Sequence, residues 1–577
     1  MSSASAPTGT ITVAEGPGAN PNWIFPYYPG QYCSVANINQ FFNEMYRPLY
    51  WFGLGGSPAY IPSLSTGNKP VMSHGNTTAT ITMKGWKFAD GQTVNAESVM
   101  FYLNMLNADP TNFCGDNGSF SIPALIKSAS GKGNTVTINF TRALNPNWLL
   151  YNNLSFIYPL PNSWDLTSAT QKANCATGKY GASSTNVTCK NVETFLDAQS
   201  GDSSTYTGKM WQSGVDGPWR LTQFDNLGNA TFVPNNKYSG PQHAQVAQFK
   251  LVAYTSTQAE ENDLQAGKID LGYVDPGVLT GNAVSPTQAG PNWGQLASRY
   301  NMTTGPLWAF NYAPINFGSA NPKAAAVAQL YVRQALQMAI DQNGIINNVD
   351  KGYGIANYSP VPTSTPKSLS QPFPNPYPFN LTAAKALLTS HGWTIQGGVQ
   401  TCTSPGTGAS QCGAGISSGY TLNFAIIWAS GSPALDQTFN AEIADWASIG
   451  IQFTHSTATF NAVVAGCQSP TSQFQVCSWG GGWIYAPDYY PSGETLLTPQ
   501  GGFNPGGYSD TQMTNLISQT AFGTATLTDY AKYAAAQIPV LYQPGAYAPG
   551  ETIKTLKSSI GWAVSPLQNL MPEYYHY

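Results

Sequence analysis

The stretch Ile81-Thr-Met-Lys-Gly-Trp-Lys-Phe-Ala-Asp-Gly-Gln-Thr-Val-Asn-Ala-Glu-Ser-Val99 combines the end of a strand, a tight turn and the start of a helix. Alternating apolar residues over Thr78–Met83 predict the strand. Asp90-Gly91 suits a sharp reversal, because glycine adopts positive φ angles freely. Asn95 can accept hydrogen bonds from the first turn of a helix over Ala96–Met105. The unit indicates a chain in which strands and helices follow one another closely.

Similar patterns recur at irregular intervals on both sides of this stretch. Period-two alternation predicts further strands at Thr10–Val13, Thr135–Phe140, Ala230–Val233 and Gln248–Tyr254. Helical periodicity predicts helices at Thr257–Ala266, Ala326–Ile340, Leu381–Ser390, Leu435–Ala447 and Thr528–Gln537. Asn380 is a candidate N-cap, and Gly267 and Gly392 stand just past two helix ends. We therefore predict a mixed α/β fold with at least two lobes.

The composition is that of a large, nearly uncharged globular protein. The 577 residues are too many for one core, and only 9% are charged, against roughly 25% in ordinary proteins. A hydrophobic share of 42% is ample for folding, so the chain is not disordered. A net charge of −4 without a basic cluster excludes nucleic-acid binding through a basic face and offers no polybasic patch for membranes.

Eight cysteines occur in a pattern that favours disulfides. Six are near neighbours in the pairs Cys175/Cys189, Cys402/Cys412 and Cys467/Cys477, and Cys33 and Cys114 remain as a fourth pair that could join across the fold. Structural zinc sites need cysteines two to four residues apart, and no such pair exists here. Disulfides indicate an oxidising compartment, so we expect an extracytoplasmic protein.

The N-terminal residues leave the route of export open. No window of about 18 apolar residues could span a membrane, and Met1-Ser-Ser-Ala-Ser-Ala-Pro7 lacks the features of a signal peptide. Either the protein is cytosolic or an export signal has been removed. The cysteines favour the second alternative, with anchoring through a lipid-modified N-terminus that precedes this sequence. Few ionisable groups also suggest an acidic habitat, which a sharp loss of stability between about pH 6 and pH 3 would contradict.

The search for catalytic residues finds little. The five histidines have no metal-binding spacing, and no phosphate or dinucleotide loop occurs. Gly415-Ile-Ser-Ser-Gly419 matches a hydrolase nucleophile motif, but a strand-like segment follows where a helix is needed. We therefore expect a non-enzyme without a cofactor or metal, and keep an extracellular hydrolase with Ser417 as a remote alternative.

Several segments, in order, resemble the family 5 solute-binding proteins of ABC importers. They are Ile81–Val99, Gly217-Pro-Trp219, Asn236-Lys-Tyr238, Leu264-Gln-Ala-Gly-Lys-Ile-Asp270, Val332-Arg-Gln-Ala-Leu-Gln-Met-Ala-Ile-Asp341 and Ala383-Ala-Lys-Ala-Leu-Leu388 with Gly392-Trp393. Each is weak alone, and their common order is specific. Ser98 stands where the family usually has Asp.

The resemblance implies a two-lobed periplasmic-binding-protein-like fold with a hinge. Lobe I would comprise residues 1–50, 205–310 and 545–577, with an inserted subdomain at 51–204, and lobe II would comprise residues 311–544. The chain would cross between lobes near Trp308–Tyr312 and near Tyr542–Pro549. Ligand would bind in the cleft, and a membrane permease would recognise the closed form.

The resemblance also places candidate ligand contacts beside the first crossing and in the segment Gly482–Tyr490. The candidates there are Trp308, Asn311, Tyr312, Trp483, Tyr485, Asp488 and Tyr489. Peptide binders of the family pair an aspartate with the peptide amine. Counting from Trp483, Ala486 takes that place, and Asp488 follows two residues later. Recognition of a free amine therefore depends on whether Asp488 replaces the aspartate.

Four further aromatic residues, Tyr27, Tyr46, Trp51 and Trp211, are candidates for stacking on the ligand, with core packing as the alternative. With so few charges, recognition must rely on rings and neutral hydrogen bonds. We expect a monomer that carries oligopeptides or modified peptides to an ABC permease. The alternative cargo is an oligosaccharide or another neutral organic solute.

Overall fold

The computed structural model describes residues 7–54, 58–279, 282–283, 294–469, 471–546, 550–560 and 567–577. The residues 547–549 in the predicted second crossing lie outside this description. Strands and helices are mixed, as predicted, and three main sheets organise the chain. The α-helices are Val35–Asn37, Asn43–Met45, Ala96–Ala108, Pro146–Asn152, Ser183–Ser200, Lys209–Ser213, Thr257–Ala266, Ala324–Ala328, Leu330–Met338, Gln342–Asn348, Leu381–Ser390, Pro433–Ser448, Phe460–Gln468, Glu494–Leu497, Thr511–Phe522 and Thr528–Gln537, and Ile38–Phe42 is a π-helix.

A seven-stranded sheet forms the first lobe. Its strands, in spatial order, are Tyr300–Thr303, Gly550–Ile553, Leu271–Tyr273, Thr10–Ala14, Gln248–Val252, Ala230–Pro234 and Trp219–Phe224. Thr10–Ala14 pairs in parallel with Gln248–Val252 and with Leu271–Tyr273, and the outer pairs are antiparallel. The sheet thus assembles strands that are distant in sequence, and the last of them comes from near the C-terminus.

A four-stranded antiparallel sheet organises the segment between the first two strands of the first lobe. Its order is Val71–Ser73, Thr78–Thr82, Thr135–Phe140 and Ile126–Lys132. The turn predicted at Asp90-Gly91 forms, with Gly91 at φ 93°. Asn95 caps helix Ala96–Ala108, and the Ser98 hydroxyl in turn accepts a hydrogen bond from the Asn95 N–H. Ser98 therefore completes a reciprocal cap.

A parallel three-stranded sheet, in the order Gln452–Ala458, Asn423–Ala429 and Val476–Ser478, forms the second lobe. Short two-stranded pairs complete the structure. They are Ala309–Phe310 with Trp483–Ile484, Tyr312–Pro314 with Val540–Tyr542, Gly354–Ile355 with Gly545–Ala546, Trp393–Gln396 with Val399–Cys402, and Lys557–Ser558 with Tyr575–His576.

Two segments that connect the seven-stranded sheet with the parallel sheet run side by side. Tyr312–Pro314 and Val540–Tyr542 pair as antiparallel strands. Asn311 joins the segments just before this pair, because its Nδ2 donates to the Pro544 carbonyl at 2.9 Å and its carbonyl accepts from the Gln543 N–H at 3.1 Å. The connection is therefore a hydrogen-bonded double strand.

The helix predicted over Ala326–Ile340 is wrong as a single element. The structure has two helices, Ala324–Ala328 and Leu330–Met338, with Gln329 extended at ψ 120° between them. The buried Arg333 guanidinium donates to the carbonyls of Val327 and Ala328 at 2.8 and 2.9 Å. These carbonyls lack helical N–H partners at the break, and the guanidinium supplies hydrogen bonds in their place.

All four disulfides form, including Cys33–Cys114. The three others are Cys175–Cys189, Cys402–Cys412 and Cys467–Cys477, each closing a short loop, whereas Cys33–Cys114 joins residues 81 positions apart. Within the described residues, no helix has the length and apolar character that crossing a membrane requires.

Candidate functional site

A cavity of about 380 Å³ lies between the two lobes. The first lobe contributes Gly16, Pro17 and Ala19 after its central strand, and the turn Tyr273–Pro276. The second lobe contributes Ser478–Gly481 at the end of its last strand and, at the end of its middle strand, Ala429, Ser430, Ser432, Ala434 and Leu435. Loops that follow parallel strands meet at one edge of a sheet, which is where α/β proteins place ligands. Both lobes thus present strand ends to one space.

A second cavity of about 270 Å³ adjoins the first. Gly16, Tyr273, Phe460 and Trp479 line both. The residues that line only this second cavity include Cys33–Ala36 and residues around Trp483 and Phe503. None of the described residues lining it is charged. The cleft is therefore divided into a compartment with carboxylates and a neutral, ring-lined one.

The glycine run Gly480–Gly482 shapes the wall between the tryptophans. A Cβ on Gly482 would stand 2.3 Å from the Phe310 carbonyl, and Gly482 has φ 63°, so a larger residue would displace the turn. The Trp479 indole N–H donates to the Gly482 carbonyl at 2.8 Å. The run holds Trp479 and Trp483 on the two sides of one tight turn, facing the cleft.

Three carboxylates line the larger cavity, namely Glu260, Asp275 and Asp350. Burial, with a smaller contribution from Asp275, raises the pKa of Asp350 to about 7. Burial likewise raises the pKa of Glu260 to about 8, although its Oε1 accepts the Tyr273 N–H at 2.8 Å. No lysine, arginine or histidine lies among the described residues that line either cavity. The described walls of the cleft therefore contain ionisable carboxyls and no positively charged side chain.

Direct hydrogen bonds join the lobes around the cavity. Asp275 Oδ2 accepts from Ser432 Oγ at 2.6 Å, and the Thr257 N–H donates to the Gly431 carbonyl at 3.0 Å. Farther out, Gln468 Nε2 donates to the Gly30 carbonyl at 3.3 Å. Ser432 is also the N-cap of helix Pro433–Ser448. A side chain of the first lobe thus meets the start of a helix in the second.

Of the predicted ligand contacts, two line the cavities. Asn311 lines the larger one and Trp483 the neutral one. Trp483 is 7% exposed, and its ring packs 4.9 Å from that of Phe503. Sequence periodicity does not distinguish such a wall from a core, because both are apolar. Contact of Asn311 and Trp483 with a ligand stays a prediction.

Tyr27, Tyr46, Trp51 and Trp211 are buried away from both cavities. Tyr27 stacks on Phe113, Tyr46 and Trp211 pack edge-on against the same indole of Trp164, and Trp51 lies under the Arg47 guanidinium. Their polar atoms donate to protein partners, as when Tyr46 Oη donates to the Trp211 carbonyl at 3.3 Å. The structure therefore gives these four a packing role.

Trp308, Tyr312, Tyr485 and Tyr489 lie behind the cavity wall. The Trp308 indole donates to the Tyr489 carbonyl at 2.9 Å, and Tyr485 Oη donates to the Pro360 carbonyl at 2.7 Å. Tyr312 stacks on Phe310, and Tyr489 stacks on Phe52. They support the residues that face the cleft and line neither cavity.

Asp488 also lies behind the wall. Its Oδ2 accepts from Trp483 Nε1 at 3.0 Å, and burial, with the charge of Glu494, raises the pKa of its carboxyl well above the usual range. Ala486, at the position of the family's aspartate, lines the neutral cavity and has no carboxylate. In this structure neither residue presents an amine anchor to the cavities.

Sequence reasoning did not select Glu260, Asp275, Asp350, Ser432 or Trp479. Asp275-Pro-Gly277 is a turn signal after a strand, and Trp479 directly precedes the glycine run. These signals indicate turns rather than a ligand site. Only the approach of segments up to 219 positions apart, from Glu260 to Trp479, reveals the cavity.

Ser417, the candidate hydrolase nucleophile, is exposed in a turn that precedes strand Asn423–Ala429. The Tyr420 N–H donates to its carbonyl. No histidine of the described residues is hydrogen-bonded to its hydroxyl, and no helix follows it directly. The strand–turn–helix arrangement of a nucleophile elbow is therefore missing.

Comparison with known proteins gives consistent matches. The family model described as "Bacterial extracellular solute-binding proteins, family 5 Middle" matches residues 60–501. A search of curated protein sequences finds no match.

Solved structures share the fold at low identity. The oligopeptide-binding protein AppA from Bacillus subtilis, in complex with a nonapeptide, has a TM-score of 0.74 at 18% identity, and 99% of each chain is covered. NikZ from Campylobacter jejuni, in complex with Ni(L-His), has a TM-score of 0.70 at 16% identity over 99% of this chain and 100% of its own. An oligopeptide-binding protein from Thermus thermophilus with a pentapeptide has a TM-score of 0.71 at 14% identity over 98% and 96%. These matches confirm the predicted two-lobed fold.

Proposed function

Because the chain belongs to the bacterial extracellular solute-binding proteins of family 5, we propose that it captures short peptides or modified peptides and delivers them to the permease of an ABC importer. The family consists of extracytoplasmic binding proteins that work with ABC permeases. The family and the structures that match this chain are binding proteins, not enzymes. The cargo class is the part that goes beyond family membership. The chemistry of the cleft is the basis for it.

The observation that carries the proposal is the cavity with walls from both lobes. A ligand there would contact Tyr273–Pro276 on one side and Ser430, Ser432 and Leu435 on the other. Only a ligand that touches both lobes favours the closed form over the open one. Taken together, the adjoining volumes of about 380 and 270 Å³ fall within the usual range of small-ligand sites, which suits a short peptide.

The lobe boundaries belong to the same proposal. We assign residues 1–50, 205–310 and 545–577 to lobe I, 51–204 to its inserted subdomain and 311–544 to lobe II. The paired strands Tyr312–Pro314 and Val540–Tyr542 would then serve as the hinge. Rotation about this double strand opens and closes the cleft without breaking either core.

An oligosaccharide is the second candidate cargo, because Trp479, Trp483 and Phe460 offer rings to the cavities. A thermal-shift screen of tri- to pentapeptides, each as the free acid and as the C-terminal amide, against gluco-, xylo- and manno-oligosaccharides separates the two. Ligand at 100 times Kd should raise the free energy of unfolding by about 2.7 kcal/mol. Stabilisation by sugars alone would reject the peptide cargo and leave the transport role intact.

A further inference from the structure

The larger cavity is lined by one carboxylate for which the described part of the chain supplies no partner. Asp350 follows helix Gln342–Asn348 and is only 5% exposed, yet it lines the cavity. No hydrogen bond or ion pair to its carboxylate exists within the described part of the chain. A buried carboxylate in this situation is costly unless a partner is supplied.

The neighbouring carboxylates are already engaged by the protein. Asp275 accepts from the Gly277 N–H at 2.8 Å and from Ser432 Oγ at 2.6 Å, and Glu260 accepts from the Tyr273 N–H at 2.8 Å. Asp275 adds negative charge near Asp350, and neither carboxyl can neutralise it. Asp350 is therefore the carboxylate that remains for a ligand, and the charge of Asp275 beside it favours a cation.

No counterpart for a ligand anion lines the cleft. No basic side chain lies among the described residues of either cavity wall. The N-terminus of helix Pro433–Ser448 also reaches the cavity, but the N–H groups of its first residues already have acceptors within the protein. The Leu435 N–H donates to Ser432 Oγ, and the Ala434 N–H donates to Asp275. A ligand carboxylate would therefore be buried without a donor of opposite charge.

We propose that the cargo carries an organic ammonium group that Asp350 binds, and that it lacks a free carboxylate. Its remaining, neutral part extends toward Trp479 and Trp483 in the second compartment. This inference rests on the proposed binding function and specifies the chemical class of the cargo. A C-terminally blocked peptide or an amino sugar meets the description, whereas an ordinary peptide with a free carboxylate does not. A metal ion does not, since no group of metal-ligating side chains exists among the described residues.

The test uses one tetrapeptide, Ala-Ala-Phe-Ala, with its ends varied. It is prepared as the amide with a free amine, as the acetylated amide, and as the free acid with a free amine. The trimer of glucosamine, which has free amines, and its fully N-acetylated counterpart form a second matched pair. Affinities are measured by calorimetry at about pH 8. We expect the free-amine amide to bind at least about tenfold more tightly than either the acetylated amide or the free acid.

Variants locate the contact. Asp350→Asn keeps the size and removes the charge, and it should weaken the free-amine amide by about tenfold while leaving the acetylated amide unchanged. Asp216→Asn is the matched control, because Asp216 is equally buried, also has a pKa raised to about 7, and lines neither cavity. It should preserve the preference for the amine.

Each outcome decides the matter. Equal affinity of the wild-type protein for the free-amine and acetylated forms overturns the inference, and this comparison needs no variant. So does a preference for the amine that persists in Asp350→Asn. Binding of neutral sugars or acetylated peptides alone leaves the transport role standing without an ammonium cargo. If no probe and no member of the wider screen binds, the proposed function fails as well.

Discussion

Two indole–carboxylate hydrogen bonds in the second lobe differ in how much water reaches them. Trp483 Nε1 donates to Asp488 Oδ2 at 3.0 Å, and both side chains are buried. Trp428 Nε1 donates to Asp436 Oδ1 at 2.7 Å, where Asp436 is half-buried. Water can replace a lost donor only in the second case.

Trp483→Phe should therefore lower the free energy of unfolding by about 1–3 kcal/mol beyond the packing loss, because the Asp488 carboxyl loses its indole donor. Trp428→Phe removes the same group and is the control. Urea unfolding of both variants measures the difference. Equal losses would show that the buried carboxyl gains nothing from the indole.

Asp350 should make cargo binding depend on pH. Its carboxyl has a pKa of about 7, and Asp275 and Glu260 are the other ionisable groups among the described residues of the cavity wall. An ammonium group must displace the proton, so affinity for the free-amine tetrapeptide amide should fall by up to about tenfold per pH unit as the pH drops below 7. Calorimetry between about pH 5 and pH 8 measures it. A flat profile for this probe would contradict the role of Asp350.

Helix Pro433–Ser448 is the element that joins stability to closure. Its N-cap Ser432 accepts the Leu435 N–H at 3.2 Å and donates to Asp275 of the first lobe. The carboxylate lies at the positive end of the helix, which strengthens the contact. One hydroxyl thus serves the helix and the interface between the lobes.

Ser432→Ala should lower the free energy of unfolding by about 0.5–2 kcal/mol and also weaken ligand binding several-fold, because the closed form loses a contact that the open form lacks. Asn380→Ala is the matched control, since Asn380 caps helix Leu381–Ser390 on the surface through the Ala383 N–H at 2.9 Å. It should reduce stability with no change in affinity. A Ser432→Ala protein with wild-type affinity would exclude the bond from closure.

Buried carboxyls with raised pKa values are a property of the whole molecule. Burial is the largest cause in every case, and the values reach about 9 at Glu193, 8 at Glu260 and Glu442, 7 at Asp216 and Asp350, and 6 at Asp197. In the unfolded chain such groups titrate near pH 4. The folded protein therefore holds protons that the unfolded chain has released.

It follows that stability is greatest below about pH 4 as far as these groups are concerned, and is lost as the pH rises through about 6 to 9. We expect a higher Tm at about pH 4.5 than at about pH 8, in line with an acidic habitat. Calorimetric scans across this range measure the trend. A Tm that falls on acidification would contradict it.

Glu442→Gln gives this pH trend a single-residue check. Glutamine keeps an acceptor for Gln543 Nε2, which lies 3.2 Å from Glu442 Oε2, and cannot ionise. The variant should match the wild type at about pH 4.5 and exceed its Tm at about pH 8. If the variant and the wild type had the same Tm at both pH values, Glu442 would have the same pKa in the folded and the unfolded protein.

Much of the fold could be predicted because its signals are local. The cap at Asn95, the turn at Asp90-Gly91 and helix Thr257–Ala266 arise from neighbouring residues, and all are present in the structure. Three disulfides join cysteines that are 10 to 14 positions apart. The sequence did not predict the helix break at Gln329. The break is accompanied by hydrogen bonds from the Arg333 side chain to backbone carbonyls, and hydrophobic periodicity carries no information about such bonds.

The sequence by itself determined the mixed α/β class, the family and the shortage of charge. Only the tertiary structure decided which aromatic residues face the cleft, and that Glu260, Asp275 and Asp350 line one cavity. The physical reason is that a core and a cavity wall are built from the same apolar residues in the same periodic pattern. What separates them is the empty volume beside them, which exists only once distant segments have packed together.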